Sequence, residues 1–264
     1  MAGPTTAERG ERQQELSGPP LVRRSKRPRL RTIVILAVAS VLLGGGSVWL
    51  LYGSAWLRVE RVSVSGTRVL TPAQVRSVAA VPVGAPLVSV DTDAIEARLR
   101  RKLPRIDTVD VVRSWPHGIG LKLTERTPVL VMEKGKDFIE VDDEGVRFAT
   151  VPQSPKGVPV LELTVSRPGS AAASLRRFGV DGLVREAVQV AADIPAAVAH
   201  TARTLKVRSY DDISLELSDG RTVAWGSADN GAAKARTLTA LMKAAPDARH
   251  FDVTVPTAPA SAGS

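Results

Sequence analysis

The sequence predicts an α+β protein in which one membrane-spanning helix precedes a small domain of order β-α-α-β-β and a mixed β-rich domain with helices. Three observations predict this: the uncharged 21-residue stretch Thr32–Tyr52, two capped helices among alternating strands before Pro128, and mainly strand-like alternation after it. We expect a disordered cytoplasmic tail over 1–31, the membrane helix over 32–52, the two domains over 57–127 and 128–256, and a disordered tail over 257–264.

The apolar stretch is long enough to cross a membrane. At a rise of about 1.5 Å per residue, such a helix spans roughly the 30 Å hydrocarbon layer of a bilayer. The next charge after it is Arg58. Basic residues without an acid among them precede it, and such residues are retained on the cytoplasmic side: Arg23, Arg24, Lys26, Arg27, Arg29 and Arg31. This topology signal predicts a cytoplasmic N-terminus, with residues 53–264 outside the cytoplasm.

Other interpretations of this segment are a cleaved signal peptide, a twin-arginine export signal at Arg23-Arg24, and a buried core helix. Gly53-Ser54-Ala55 resembles a cleavage site, but the apolar run is longer than the 7–15 residues of a signal peptide. The three consecutive glycines Gly44–Gly46 disfavour a core helix in water. We therefore expect an uncleaved anchor.

Composition narrows the classes of function. The chain has no cysteine, which excludes disulfide bonds, thiol nucleophiles and cysteine metal sites. The net charge is +9, and residues 1–31 hold eight basic and three acidic residues, so most of the excess lies in the tail. The remainder carries no basic patch typical of nucleic-acid binding. The tail is rich in Gly, Pro, Glu, Gln and Arg without apolar periodicity, which predicts disorder.

Local signals define the first domain. Arg58–Ser65 alternates as a strand does, and Thr71-Pro72-Ala73-Gln74 has the residues of a capping box that opens a helix. A second helix begins at Asp91 or Asp93 and ends before Pro104. Two further strands are predicted at Thr108–Trp115 and Ile119–Glu125. The economical packing is a three-stranded sheet with both helices on one face.

The second domain is mostly strands separated by turn signals, among them the hairpin turn Asp142-Asp143-Glu144-Gly145 and the tight turn Asp219-Gly220. An exposed loop is expected at Arg167–Ser174. Helices are predicted around Leu183–Ala192 and at Ala232–Ala245, the latter capped by Asp229 or Asn230. The predicted strands are Phe138–Val141, Val146–Phe148, Val160–Leu163, Leu205–Val207, Ile213–Leu217, Thr222–Trp225 and His250–Val255.

Both domains resemble a known family. VERVSVSG, the helix start TPAQV, the link VGAPLVSVD and the strands VDVVRSWP and LKLTERTPV resemble the POTRA domain of the bacterial division proteins FtsQ/DivIB. VDDEGVRF, DGRTVAWG, AAKARTLTALM and FDVTVP resemble the β domain of the same family. A POTRA unit directly after a single anchor is that family's arrangement. The Arg- and Pro-rich tail and the short C-terminus are most similar to actinobacterial members.

The sequence offers no catalytic constellation. His117, His200 and His250 lack the spacing of a metal pair. Asp142-Asp143-Glu144 lacks the length and the bidentate acid of a calcium loop, so we interpret it as a solvated hairpin tip. Ser227–Asn230 lacks the partner motifs of penicillin-binding chemistry and is interpreted as a helix-capping loop. We expect no catalytic residues, no metal site, no cofactor and no enzymatic activity.

A binding role has candidates at the terminal strand. An edge strand exposes N–H and C=O groups to which a partner can add a further strand. Taken alone, His250–Val255 is better explained as a core strand whose edge is covered. The family resemblance implies that this strand and the preceding helix receive the FtsB/DivIC partner. The residues so implied are Phe251, Asp252, Val253, Thr254, Val255 and Pro256, with Arg236 and Lys243 as nearby helix charges.

The resemblance implies a bitopic scaffold that recruits and positions division proteins for septal peptidoglycan synthesis. Its partners would be FtsB/DivIC-like and FtsL-like bitopic proteins, with other divisome members binding the POTRA domain. The expected location is the plasma membrane at the division septum. Alternative functions are a membrane-anchored envelope hydrolase with an unrecognised site and a POTRA-type assembly chaperone.

Overall fold

The computed structural model describes residues 30–164 and 170–263. The chain divides into two compact units between Leu50 and Leu51. Helix α1, Leu30–Tyr52, includes the predicted anchor and is the one helix of the described residues that is long and apolar enough to cross a membrane. Of the basic residues that predict the membrane topology, Arg31 belongs to α1. Arg23, Arg24, Lys26, Arg27 and Arg29 lie outside the described residues, as does nearly all of the predicted tail.

The second unit begins with a βααββ domain. Its sheet has the order β1-β3-β2, in which β3 runs parallel to β1 and antiparallel to β2. The Thr71–Gln74 capping box and the cap at Asp91 are confirmed, because each side chain accepts a hydrogen bond from a helix N–H. The elements are β1 Arg61–Ser65, α2 Pro72–Ala79, α3 Thr92–Lys102, β2 Ile106–Ser114 and β3 Gly118–Glu125.

One hydrophobic core holds this domain together. Val75 and Ala79 of α2 and Leu99 of α3 pack in the same cluster as Ile119 and Leu121 of the central strand β3. All are nearly inaccessible to water. The helices and the sheet thus bury their apolar faces against each other, as the predicted packing requires.

The β-rich domain that follows is built on one mixed sheet. Among the described residues this sheet has nine strands in the order β12-β11-β10-β9-β8-β7-β4-β5-β6. The strands are β4 Leu130–Lys134, β5 Asp137–Val141, β6 Arg147–Val151, β7 Val160–Leu163, β8 Ala202–Ser209, β9 Asp212–Leu217, β10 Thr222–Ala224, β11 His250–Asp252 and β12 Ala260–Ala262. The helices are α4 Ser170–Asp193, α5 Ala196–Ala199 and α6 Gly231–Ala244. The predicted fold class is confirmed.

The helices cover one face of this sheet. Leu183 and Val184 of α4 share a core with Leu205 of β8 and Leu215 of β9, and Leu238 of α6 belongs to the same cluster. On the opposite face lie polar side chains such as Lys206, which forms ion pairs with Glu216 of β9 and Glu162 of β7. Because successive strand residues point to opposite faces, each strand contributes to both surfaces.

The structure differs from the expectations in several elements. Strand β4 was not expected. The expected loop Arg167–Ser174 is helical from Ser170, since α4 extends N-terminally with a kink at Gly179, while 165–169 lie outside the described residues. The terminal strand ends at Asp252, not Val255. Finally, the expected disordered tail over 257–264 contains strand β12, because the edge of β11 provides backbone partners for it.

The junction between the two domains is an ion-pair cluster. Arg105, just before β2, pairs with Glu140 of β5 and lies 5.1 Å from the centroid of the Phe148 ring. Arg126, just after β3, pairs with Asp142 and also with Glu144, at 3.1 Å. The interpretation of this hairpin as a solvated tip is therefore wrong for Asp142, whose carboxylate is buried against Arg126.

Candidate partner-binding site

The C-terminal strands form one edge of the nine-stranded sheet. β11 runs parallel to β10 and antiparallel to β12, so that Val223, Phe251 and Ser261 lie in one row across the three strands. Val223 and Phe251 face the helices and are buried in the core. Within the described part of the chain, β12 is the terminal strand. Along an antiparallel strand, the backbone N–H and C=O groups of successive residues point alternately to one side and the other. Some of the N–H and C=O groups of β12 therefore face away from β11.

A fixed loop turns the chain back after β11. The Asp252 carboxylate accepts hydrogen bonds from the Thr254 backbone N–H, at 2.9 Å, and from its hydroxyl, at 2.7 Å. The Ala258 N–H donates to the Val255 carbonyl at 3.0 Å. The Thr237 hydroxyl of α6 donates to the Pro256 carbonyl at 3.3 Å. These bonds bring β12 alongside β11 and join the loop to α6.

A shallow depression lies beside this edge, on the face of the sheet opposite the helices. Its volume is about 400 Å³. Its floor is formed by small side chains of three neighbouring strands, among them Ala224, Ala260 and Ala262, with His250 and Asp252 between them. The imidazole Nδ1 of His250 lies 2.7 Å from the Thr222 hydroxyl. The small residues leave room for side chains of another chain next to the free edge.

A buried polar cluster fixes the start of α6. Lys234 is buried, and its ammonium group donates to the Ser227 carbonyl at 2.8 Å. Burial lowers the pKa of Lys234, and the nearby carboxylates of Asp229 and Glu186 offset only part of this effect. Glu186 of α4 accepts a hydrogen bond from the Ala228 N–H at 2.6 Å. Its charge and a hydrogen bond raise the pKa of Tyr210. The cluster therefore joins α4, the capping loop and α6.

Sequence reasoning missed this cluster. The expected cap residue Asn230 does occupy the N-cap position, in the left-handed conformation, but its side chain makes no capping hydrogen bond. The available signal was the position of Lys234 four residues before Leu238, on the apolar side of the helix. A lysine in that register lies against the core and needs a polar acceptor there.

The eight residues predicted to bind a partner do not form one exposed surface. Phe251 is 2% exposed and Val253 0% exposed, so both side chains belong to the core. The Val253 N–H also donates to the Ala224 carbonyl at 3.0 Å. The remaining side chains are accessible, Pro256 partly and the others more fully: Asp252, Thr254, Val255, Pro256, Arg236 and Lys243. The edge of β11 is covered by β12, which is the alternative that the sequence left open.

The acidic and histidine residues do not assemble into a metal centre. Within residues 30–164 and 170–263, no group of three or more His, Cys, Asp or Glu side chains is arranged to hold a metal ion. His117 lies near Trp56, His200 follows α5 and His250 is the first residue of β11, next to the terminal strand β12.

Comparisons with known proteins match both domains. The profile of the FtsQ-type POTRA domain matches residues 57–126, and that of the cell division protein FtsQ/DivIB C-terminal domain matches residues 130–254. Proteins named cell division protein FtsQ are 76% identical in Streptomyces collinus and 75% identical in Streptomyces coelicolor, in both cases over the full length of both chains.

More distant relatives bear the same name. In Mycolicibacterium smegmatis the identity is 33%, covering 79% of this chain and 57% of the relative. The solved extracytoplasmic domain of DivIB from Geobacillus stearothermophilus is 19% identical, and the match covers 46% of this chain and 94% of the DivIB chain. Its TM-score is 0.31, which is too low to support the family assignment. The two matching profiles and the full-length relatives show that the chain belongs to the FtsQ/DivIB family of bacterial cell division proteins, among its actinobacterial members.

Proposed function

We propose that this single-pass membrane protein acts in division as a non-catalytic scaffold, which recruits and positions partners for septal peptidoglycan synthesis. An FtsB/DivIC-like bitopic protein would bind by adding a strand to the outer edge of β12, with an FtsL-like protein in the same assembly. Other divisome members would bind the POTRA domain. The N-terminus would be cytoplasmic, as the basic residues before α1 indicate. Family membership supports the role in division.

The observation that carries the binding proposal is the free edge of β12. Strand addition needs unpaired backbone groups on a terminal strand, together with space for the side chains of the incoming segment. β12 is terminal among the described strands, and the depression of about 400 Å³ lies directly beside it. Residues 250–256 then act mainly as support. Phe251 and Val253 hold β11 in the core, while Asp252 and Thr254 fix the loop.

A proline at Ala262 tests strand addition. The Arg249 N–H donates to the Gly263 carbonyl at 2.8 Å, so the backbone groups of Gly263 face β11. Because these groups alternate in direction along an antiparallel strand, the N–H of the neighbouring Ala262 faces outward. Ala262→Pro therefore removes an outward donor and adds a ring at the edge. Ala262→Val is the matched control, because it adds similar bulk and keeps the N–H. We expect the proline variant to lose most capture of the FtsB-like partner from detergent extract and the valine variant to retain it.

The experiment requires both variants to stay folded, which equal thermal midpoints would demonstrate. Equal capture by the folded proline variant and the wild type would rule out strand addition at β12. Val253→Pro is unsuitable for this purpose, since it removes the bond from Val253 to Ala224 inside the sheet.

The helix charges Arg236 and Lys243 are seven residues apart and exposed, so they lie on the same side of α6. If this side contributes to the partner interface, reversing both charges should weaken capture at low salt more than at high salt. Capture that is unchanged at every ionic strength would restrict the interface to the sheet edge.

Two further measurements test the rest of the proposal. A membrane-impermeant thiol reagent should label a cysteine introduced at the exposed residue Val146 in intact cells, because residues 53–264 would lie outside the cytoplasm. Labelling only after cell lysis would contradict the orientation. Cleavage of peptidoglycan by the purified full chain would contradict the non-catalytic role.

A further inference from the structure

Three large apolar side chains are exposed at one end of the POTRA domain. Trp56 is 64% exposed, Val83 67% and Trp115 52%. They come from three separate segments: the link after α1, the loop between α2 and α3, and the turn between β2 and β3. Together we call Trp56, Val83 and Trp115 the proximal surface. Exposed apolar groups gathered from distant parts of a sequence are typical of an interaction site.

Backbone contacts with the residues just before β1 bring these segments together. The Val59 N–H donates to the Ala85 carbonyl at 2.9 Å, and the Gly84 N–H donates to the Val59 carbonyl at 2.8 Å, which fixes the loop that carries Val83. On the other side, the Glu60 N–H donates to the His117 carbonyl at 2.8 Å, next to the turn that carries Trp115. The rings of Trp56 and His117 are 6.4 Å apart, edge to face.

The same end of the domain is where the chain arrives from the membrane anchor. Trp56 follows Tyr52, the last residue of α1, by four residues. Four residues span at most about 14 Å even when fully extended. The headgroup region on each side of a bilayer is roughly 6 Å thick or more. Trp56 is therefore held within a short distance of the membrane interface, whichever side of the membrane the domain occupies.

The chemistry of the proximal surface suits that interface. Tryptophan is enriched at membrane–water boundaries, because its ring is apolar and its N–H is polar. Residues 58–61, which lead into β1, add Arg58 and Arg61 against the single acid Glu60, and excess positive charge favours the approach of anionic headgroups. The Arg58 guanidinium is itself fixed to the loop, donating to the Gly84 carbonyl at 2.7 Å.

We infer that the proximal surface docks on the lipid bilayer, with Trp56, Val83 and Trp115 seated in the headgroup layer. The POTRA domain would then have a fixed orientation on the membrane, instead of rotating freely on its linker. This inference depends on the anchor and on the surface, and not on the binding of any division partner.

The absence of cysteine from the chain allows a direct test. Val83→Cys and Trp115→Cys, made one at a time in the full chain, are labelled with a nitroxide and reconstituted in vesicles of phosphatidylethanolamine and phosphatidylglycerol. Collision with oxygen, which concentrates in lipid, is compared with collision with a water-soluble nickel chelate. The control is Val69→Cys, since Val69 is 65% exposed but lies at the opposite end of the domain, where its N–H donates to Glu125.

We expect the ratio of oxygen to nickel accessibility to be several-fold higher at positions 83 and 115 than at position 69. The same low ratio at all three positions would overturn the inference, and would leave the surface for a protein partner. An independent measurement uses Trp49→Phe, which removes the tryptophan inside α1. Brominated lipids should then quench Trp56 and Trp115 but not the buried Trp225. No quenching in folded Trp49→Phe protein would equally contradict membrane docking.

Discussion

Arg126 and Asp142 form an ion pair across the junction of the POTRA and β domains, and the Asp142 side chain is only 1% exposed. The carboxylate also accepts hydrogen bonds from the backbone N–H groups of Glu144, at 3.0 Å, and Val146, at 2.7 Å. Burial lowers the pKa of Arg126, but its hydrogen bonds to Asp142 and Glu144 outweigh this effect and raise it. The pair thus contributes to the connection of two domains that have separate cores.

Replacing Arg126 should destabilise this junction. Arg126→Ala leaves the buried carboxylate of Asp142 without its cation, which costs about 3 kcal/mol of unfolding free energy. The control is Arg147→Ala, because the partner Asp181 is 83% exposed and an exposed pair contributes less than about 1 kcal/mol. Urea unfolding of the full chain in detergent measures both. Equal losses in the two variants would show that the buried pair has no special role.

Glu125 should make the stability of the POTRA domain depend on pH. Its carboxylate accepts hydrogen bonds from the N–H groups of Arg68, Val69 and Leu70, at 2.8 to 3.2 Å. Burial raises the pKa of Glu125. These hydrogen bonds and the charge of Arg105 lower it by more than burial raises it, so that the pKa lies below its ordinary value of 4.5. The stabilisation is therefore complete above pH 4.5 and is lost as the pH falls through the lowered pKa.

Glu125→Gln accordingly should cost about 1.5 kcal/mol at neutral pH, since the charge-assisted bonds are weakened. The difference from the wild type should shrink as the pH falls below 4.5 and through the lowered pKa of Glu125, because the wild-type carboxyl group then also becomes neutral. Urea unfolding at several pH values measures this difference. A difference that stays constant from neutral pH to well below pH 4.5 would contradict the proposed protonation.

Elements with local signals could be predicted from the sequence. The Thr71–Gln74 capping box, the Asp91 cap and strand Val160–Leu163 agree with the structure because each is encoded within a few residues. Strand β4 escaped prediction because Leu130 and Val131 are both buried, and a strand covered on both faces lacks alternation.

Features that depend on distant partners could not be predicted. Ala260–Ala262 has low strand propensity and becomes a strand only through its pairing with β11. The burial of Asp142 depends on Arg126, sixteen residues earlier in the chain. At the candidate site, the edge was assigned to β11, because nothing local in the sequence indicates that the chain folds back to form β12.

Lys234 should weaken the β domain at neutral pH through the cost of its buried charge. Because burial lowers its pKa below the ordinary 10.5, the folded state releases the proton before the unfolded state does. Wild-type stability should therefore rise with pH between the lowered pKa and 10.5.

Lys234→Met should abolish this rise while changing the stability at pH 7 by less than about 1.5 kcal/mol. Lys243→Met, on the exposed side of the same helix, should leave the rise intact. A rise that persists in Lys234→Met, measured by urea unfolding at increasing pH, would assign it to another group.

Gly66 should tolerate no side chain. It has φ +88°, and a Cβ atom there would lie 1.7 Å from the backbone carbonyl oxygen of Leu123, the position in β3 that closely follows the pairing with β1. A backbone oxygen within a strand cannot move aside, so Gly66→Ala should lower the free energy of unfolding by about 3 kcal/mol or more.

Gly84→Ala is the matched control, because Gly84 has nearly the same φ, +87°, but no atom within 4 Å of the added Cβ. There only the backbone strain of about 1 kcal/mol applies. Thermal midpoints of the two full-length variants measure the contrast. Similar midpoints would mean that the loop after β1 relaxes away from β3, and that the close approach is not required for the fold.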